Sequence, residues 1–138
     1  MTTVSDFSAG GIVRDSEGRI AVIKRHPAGG RPMWGLPKGH PKKGEGTLDA
    51  ALRETSEETG LSVEPVPGTA PQLITYWFVD SAGDRVHKRV EFYHMKSTGG
   101  DITAHDGEVA EVRWVTLDEA LELVTFENER TMLAETCG

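Results

Sequence analysis

Three glutamates, Glu54, Glu57 and Glu58, stand at helical spacing in the run Arg53-Glu54-Thr55-Ser56-Glu57-Glu58. At roughly 100° per residue they fall within about a 100° arc of one helix face. Like charges three and four residues apart repel, so a helix stabilised for its own sake would alternate signs there. Clustered carboxylate oxygens suit hard cations such as Mg2+ or Mn2+, which cancel that repulsion. The triplet taken alone also fits an acidic, solvated helix face. The other chemically capable residues are dispersed. His26, His87, His94 and His105 show no metal-ligand spacing. Cys137 has no neighbouring base and reads as a tail residue rather than a nucleophile.

Elements must hold these carboxylates in place. Thr47 can cap a helix running to about Thr59, and Gly60 can end it. Leu48, Ala51, Leu52 and Thr55 recur at helical spacing and mark its buried face. Upstream, residues 27–46 hold four Pro and six Gly, which predicts a long irregular loop. Ala9 to Val13 and Ile20 to Lys24 are apolar runs around Asp15-Ser16-Glu17-Gly18, a hairpin pattern. Downstream, Gln72 to Asp80 and Val86 to Met95 read as strands joined by Ser81-Ala82-Gly83-Asp84. Period two places Val86, Lys88, Val90 and Phe92 on one face of the later strand. Val109 to Thr116 reads as a further strand, and Leu117 to Val124 and Glu127 to Glu135 as closing helices. This order predicts an α/β sandwich with a mixed, partly antiparallel sheet.

The chain has 138 residues, 37% hydrophobic and 27% charged, enough for one core and one domain over 1–138. No stretch approaches the roughly 20 apolar residues of a membrane span. Met1 to Phe7 is polar and lacks a signal-peptide pattern, and a single cysteine excludes an internal disulfide. Both point to a reducing compartment, the cytoplasm. The formal charge of −7 argues against nonspecific duplex binding, which depends on cations meeting phosphates. The charge is uneven. Lys24 to Lys43 carries six cations and no acid, and the remaining residues carry nine cations against 22 acids. Such a loop is either simply solvated or able to meet a small anionic ligand.

Context sharpens the triplet. Gly39, five residues, Glu45, seven residues, then Arg53-Glu54-x-x-Glu57-Glu58-x-Gly60-Leu61 resembles the Nudix box, here residues 39–61. Every fixed position is present. Thr55 departs from the preferred bulky apolar residue but still presents a methyl group. The chain is therefore identified as resembling a Nudix hydrolase. The resemblance implies a Nudix-type α/β/α sandwich and hydrolysis of a nucleoside diphosphate linked to another group. It also implies that Glu54, Glu57 and Glu58 hold Mg2+, with Mn2+ as a substitute, joined by the carbonyl of Lys38. Glu57 or a neighbouring glutamate would help deprotonate the attacking water, with Glu54 and Arg53 also in the catalytic set. Gly39, Glu45 and Gly60 would brace the site, with Glu45 and Arg53 forming an ion pair. A further carboxylate from a distant loop would be Glu108, with Asp106 and Glu111 as alternatives.

Substrate choice lies outside the box. Trp34-Gly35-Leu36-Pro37-Lys38-Gly39-His40 resembles a run found in Nudix diadenosine polyphosphate hydrolases. Tyr76 stands sixteen residues past Gly60, where such members often carry Tyr, and residues 72–80 contain no Pro. By the same resemblance, Lys38, His40 and Lys88 would meet phosphate, and Phe92, Phe126 and Tyr76 would contact adenine. The expected substrate is a diadenosine polyphosphate. The alternatives are nucleoside triphosphates, including oxidised ones, and, from another class, a noncatalytic nucleotide-binding module. The expected partner is a small nucleotide, with no duplex nucleic acid and no membrane, and the protein itself is a monomer or homodimer.

Overall fold

The computed structural model describes residues 2–26 and 30–138. Met1, where the polar N-terminal reading begins, and residues 27–29, at the start of the expected loop, lie outside them. Among the described residues the strands are β1 (Thr3–Arg14), β2 (Ile20–Arg25), β3 (Met33–Gly35), β4 (Lys38–Gly39), β5 (Leu61–Pro65), β6 (Gln72–Val79), β7 (Arg85–Gly100) and β8 (Glu111–Val115). The helices are α1 (Thr47–Thr59), α2 (Leu117–Leu123) and α3 (Glu127–Cys137), with a 3-10 turn at Ile102–Ala104.

The sheet runs β3-β2-β1-β7-β5, with β4 beside β1, β6 beside β7 and β8 beside β2. β1 and β7 are parallel, in register from Thr3 opposite Arg85 to Arg14 opposite Lys96, and the other pairs are antiparallel. The sheet is therefore mixed, as the element order predicted. Period two then builds a core on each face. Ile12, Ile20, Val22, Val90 and Phe92 pack against Ala120, Met132 and Leu133 of α2 and α3. Ala9, Val13, Ala21 and Met95 point the other way and pack against Ala50 and Ala51 of α1. Small residues on both sides of that second interface let α1 lie close to the sheet.

Both predicted hairpins form, each turned by an aspartate. Asp15 Oδ1 accepts from the N–H of Glu17 and Arg19, and Asp80 Oδ1 accepts from those of Ala82 and Asp84. Several local readings are corrected. The N-cap of α1 is Gly46, and Thr47 is the first helical residue. Leu48 is exposed, while Ala50, Glu58 and Thr59 are buried, because the sheet meets α1 further along its length. The expected loop contains β3 and β4, both too short to leave a hydrophobic period. β5 and the 3-10 turn were not anticipated. Cys137 is no free tail: it packs against the core under α3. No helix among the described residues is long and apolar enough to cross a membrane.

Candidate functional site

α1 carries the carboxylates, and its two ends fix where they point. At the C-terminal end Gly60 adopts φ +76°, and its N–H donates to the Ser56 carbonyl. A Cβ there would lie 2.2 Å from the Asp101 carbonyl oxygen, so only glycine allows the 3-10 segment to pack so closely. The Asp106 N–H then donates to the Glu57 carbonyl at 2.8 Å. This clamp carries the following loop, and with it Glu108, back over the helix. On the other side, β4 passes so near the helix that a Cβ on Gly39 would fall 2.1 Å from the Glu54 carboxyl carbon.

Between these elements lies a cavity of about 500 Å3, lined among others by Lys38, Glu54, Glu58, Lys88, Glu108 and Phe126. Glu58 is buried, accepts from the Lys38 N–H at 2.8 Å, and pairs with Arg25. Burial pushes its carboxyl up from 4.5 to about 7, against the pull of the Arg25 guanidinium. Arg25 also donates to the Lys38 carbonyl at 3.2 Å. Arg53 spans the glutamates. Its Nε and Nη2 donate to Glu45 at 2.8 and 2.9 Å, and Nη1 donates to Glu54 at 2.8 Å and to Glu57 at 3.4 Å. The hydrogen bonds from Arg53 hold the Glu45 carboxyl near 2.

The structure thus gathers Glu54, Glu58, Glu108 and the Lys38 backbone. Glu57 stands apart: its side chain is half-exposed and does not line the cavity. Among the described residues no three acidic, His or Cys side chains converge into a finished metal cage. The donors nevertheless fit a hard divalent cation in kind: carboxylates of Glu54, Glu58 and Glu108 and the Lys38 carbonyl, on one cavity held by rigid elements.

Against this cavity lies a second pocket of about 550 Å3, sharing Lys38 and Phe126 with it. Its walls include Ile74, Tyr76, Val90 and Phe92. Phe126 is 42% exposed and Tyr76 half-buried, so both present ring surface. Phe92 has no exposed surface and belongs to the core, forming the floor rather than an open stacking face. His40 borders the first cavity, largely exposed, with Nε2 2.9 Å from Asp6 Oδ1. Lys88 is buried and donates to Asp6 at 2.8 Å and Ser8 at 2.6 Å.

Among the polar residues at the site that the sequence reading does not single out are Asp6, Arg25 and Glu129. Asp6 stands in a polar run with no periodic signal, and Arg25 at a strand end inside a basic stretch. Glu129 did leave a signal. It precedes Met132 and Leu133 by three and four residues and so falls on the buried face of α3. It lines the second pocket, its Oε1 accepts from the Leu36 N–H at 2.8 Å, and its Oε2 lies 3.9 Å from Lys38 Nζ. Burial raises the Glu129 carboxyl and lowers the Lys38 ammonium.

A family model described as NUDIX domain matches residues 5–135. The MutT4 protein of Mycobacterium tuberculosis (strain CDC 1551 / Oshkosh) is 41% identical over 138 residues, 96% of this chain and 54% of that protein. The chain thus spans about half the length of that relative. A rat bis(5'-nucleosyl)-tetraphosphatase [asymmetrical] is 30% identical over 115 residues, covering 74% of this chain and 68% of the other. Among solved structures, a Caenorhabditis elegans Ap4A hydrolase binary complex superposes with a TM-score of 0.70 at 18% identity, covering 96% of this chain and 95% of that one. At that identity the likeness speaks for the fold.

Proposed function

The chain belongs to the Nudix family, and on that premise we propose that it hydrolyses nucleoside diphosphate-linked compounds, diadenosine polyphosphates above all. One observation carries this reading: the carboxylate cavity and the aromatic pocket adjoin and share Lys38 and Phe126. A base seated in one places its phosphates in the other. The residues of the box support hydrolysis, and the identity to the rat tetraphosphatase supports the dinucleotide.

Glu54, Glu58, Glu108 and the Lys38 carbonyl would hold the divalent ion, Mg2+ or in its place Mn2+. When bound, that ion supplies charge neutralisation and a lowered pKa for water. The chain's own residues do the rest. Tyr76 and Phe126 grip the adenine, worth about 1–3 kcal/mol for a stacked base. Lys38 and Lys88, with His40 at the rim, counter charge on the phosphates. Arg53 fixes Glu54 and Glu57, and the half-exposed Glu57 takes the proton of the water that attacks phosphorus. The new P–O bond comes from that water, and the broken bridge leaves with the departing nucleotide. The reading places the enzyme in the cytoplasm, acting on a small nucleotide as a monomer or homodimer.

One aromatic pocket accepts one base, which a nucleoside triphosphate also satisfies, so triphosphates, including oxidised guanine nucleotides, form the second reading. Product analysis with Mg2+ over diadenosine polyphosphates, ADP-ribose and canonical and oxidised triphosphates separates them. The expected result is a kcat/KM for diadenosine tetraphosphate above that for every other compound. Good turnover of another compound with no cleavage of any diadenosine polyphosphate would overturn the substrate assignment.

A further inference from the structure

We propose that Glu129 determines base specificity, its Oε2 accepting a hydrogen bond from an N–H donor on the edge of a purine such as the 6-amino group of adenine. This deepens the proposed function and rests on its reading of the aromatic pocket as the base site. The pocket is otherwise walled by Ile74, Val90, Phe92, the rings of Tyr76 and Phe126, and the more exposed Lys38, Glu127, Asn128 and Thr131, so that Glu129 is its one buried polar side chain among the described residues. Glu129 brings a carboxylate into that wall while being almost fully buried.

A buried carboxylate accepts hydrogen bonds on both oxygens when its surroundings allow. Here Oε1 is committed to the Leu36 N–H at 2.8 Å. Among the described residues the charged group nearest Oε2 is Lys38 Nζ, at 3.9 Å, beyond hydrogen-bond reach. The Leu36 bond fixes the plane of the carboxylate, and the Lys38 ammonium beyond it opposes in part the effect of burial, which raises the carboxyl. A donor-bearing base entering between Tyr76 and Phe126 completes the unmet oxygen. A base without the donor leaves it unmet and desolvated, and sites of this kind discriminate strongly against an analogue lacking a hydrogen-bonding group. Lys38 ties the same carboxylate to the phosphate cavity, so base and phosphate are read by neighbouring groups.

The test compares binding of AMP and of purine riboside 5′-monophosphate, which lacks only the 6-amino group. NMR titration into millimolar ligand, following the Tyr76 and Phe126 ring signals, gives both affinities without requiring turnover. Wild type is expected to bind AMP about tenfold or more tightly, as for a hydrogen bond to a charged group. In Glu129→Gln the side-chain oxygen can still accept from Leu36, and the amide then places a donor where Oε2 stood. The preference is expected to fall below about twofold. Any change at Lys38 touches both ligands alike, because their phosphates are identical, so a purely structural role would leave the ratio unmoved. Equal binding of the two ligands by wild type, an unchanged ratio in the variant, or no AMP-dependent shift at either ring would overturn the assignment. Wild-type discrimination is read before any substitution, so a variant that fails to fold does not rescue or sink the idea. Discrimination without hydrolysis of any compound would reject the proposed reaction while leaving this assignment standing.

Discussion

Glu58 is a residue whose chemistry is altered by its place in the fold. It sits on the helix face that meets the sheet, and burial raises its carboxyl to about 7. A carboxyl whose folded value exceeds its unfolded value, 4.5, keeps its proton longer in the folded chain. The unfolded state then binds fewer protons between those values, so stability falls as pH rises through that window. With chelator present, wild type should lose up to about 3 kcal/mol more than Glu58→Gln between about pH 4.5 and 7. Urea denaturation across that range measures the slope; the same slope in both proteins would refute it. The triplet was legible in the sequence because its spacing is local. Its division was not: which of Glu54, Glu57 and Glu58 is buried depends on where the sheet meets α1. Arg25 and Asp6 were illegible for the same reason, since their partners lie 33 and 82 residues away.

At the scale of elements, β7 supplies Val90 and Phe92 to the aromatic pocket. Its alternation buries Val86, Lys88, Val90 and Phe92 in one row, as period two predicts. That row supplies the pocket floor and a buried lysine at once. The sequence assigned both Phe92 and Phe126 to the base, but alternation could not say which ring remains open. The structure gives them different standing: Phe92 has no exposed surface, and Phe126 is 42% exposed. Phe92→Ala should therefore cost about 3–5 kcal/mol of stability. Phe126→Ala should leave the melting temperature within a few degrees and raise KM about tenfold, as for one lost stacking contact. Thermal melts and steady-state kinetics on the two variants check this; a comparable loss of stability in both would show that Phe126 is core as well. Long periodic strands and α1 were readable because burial imposes a period on them. β3, β4 and β5 were not, because two to five residues whose pairing is set by distant strands carry no such period.

Across the whole molecule, a chain of net charge −7 is expected to take a polyanion. The basic stretch from Lys24 to Lys43 partly resolves this. The fold sends Arg25 and Lys38 inward to the two pockets, where each meets a buried carboxylate. Those cations are therefore already engaged with Glu58 and Glu129, and the surplus carboxylates of the site still repel phosphate. A divalent ion reverses the local sign, so binding and reaction should both depend on it. The most direct measurement is hydrolysis of diadenosine tetraphosphate with Mg2+, with chelator, and with Mg2+ restored, for wild type and Glu54→Gln. The predicted result is ATP and AMP from wild type with Mg2+, no product with chelator, recovery on adding Mg2+ back, and a rate at least about 100-fold lower in a folded Glu54→Gln protein. Hydrolysis undiminished by chelator, or a Glu54→Gln rate equal to wild type, would contradict the account.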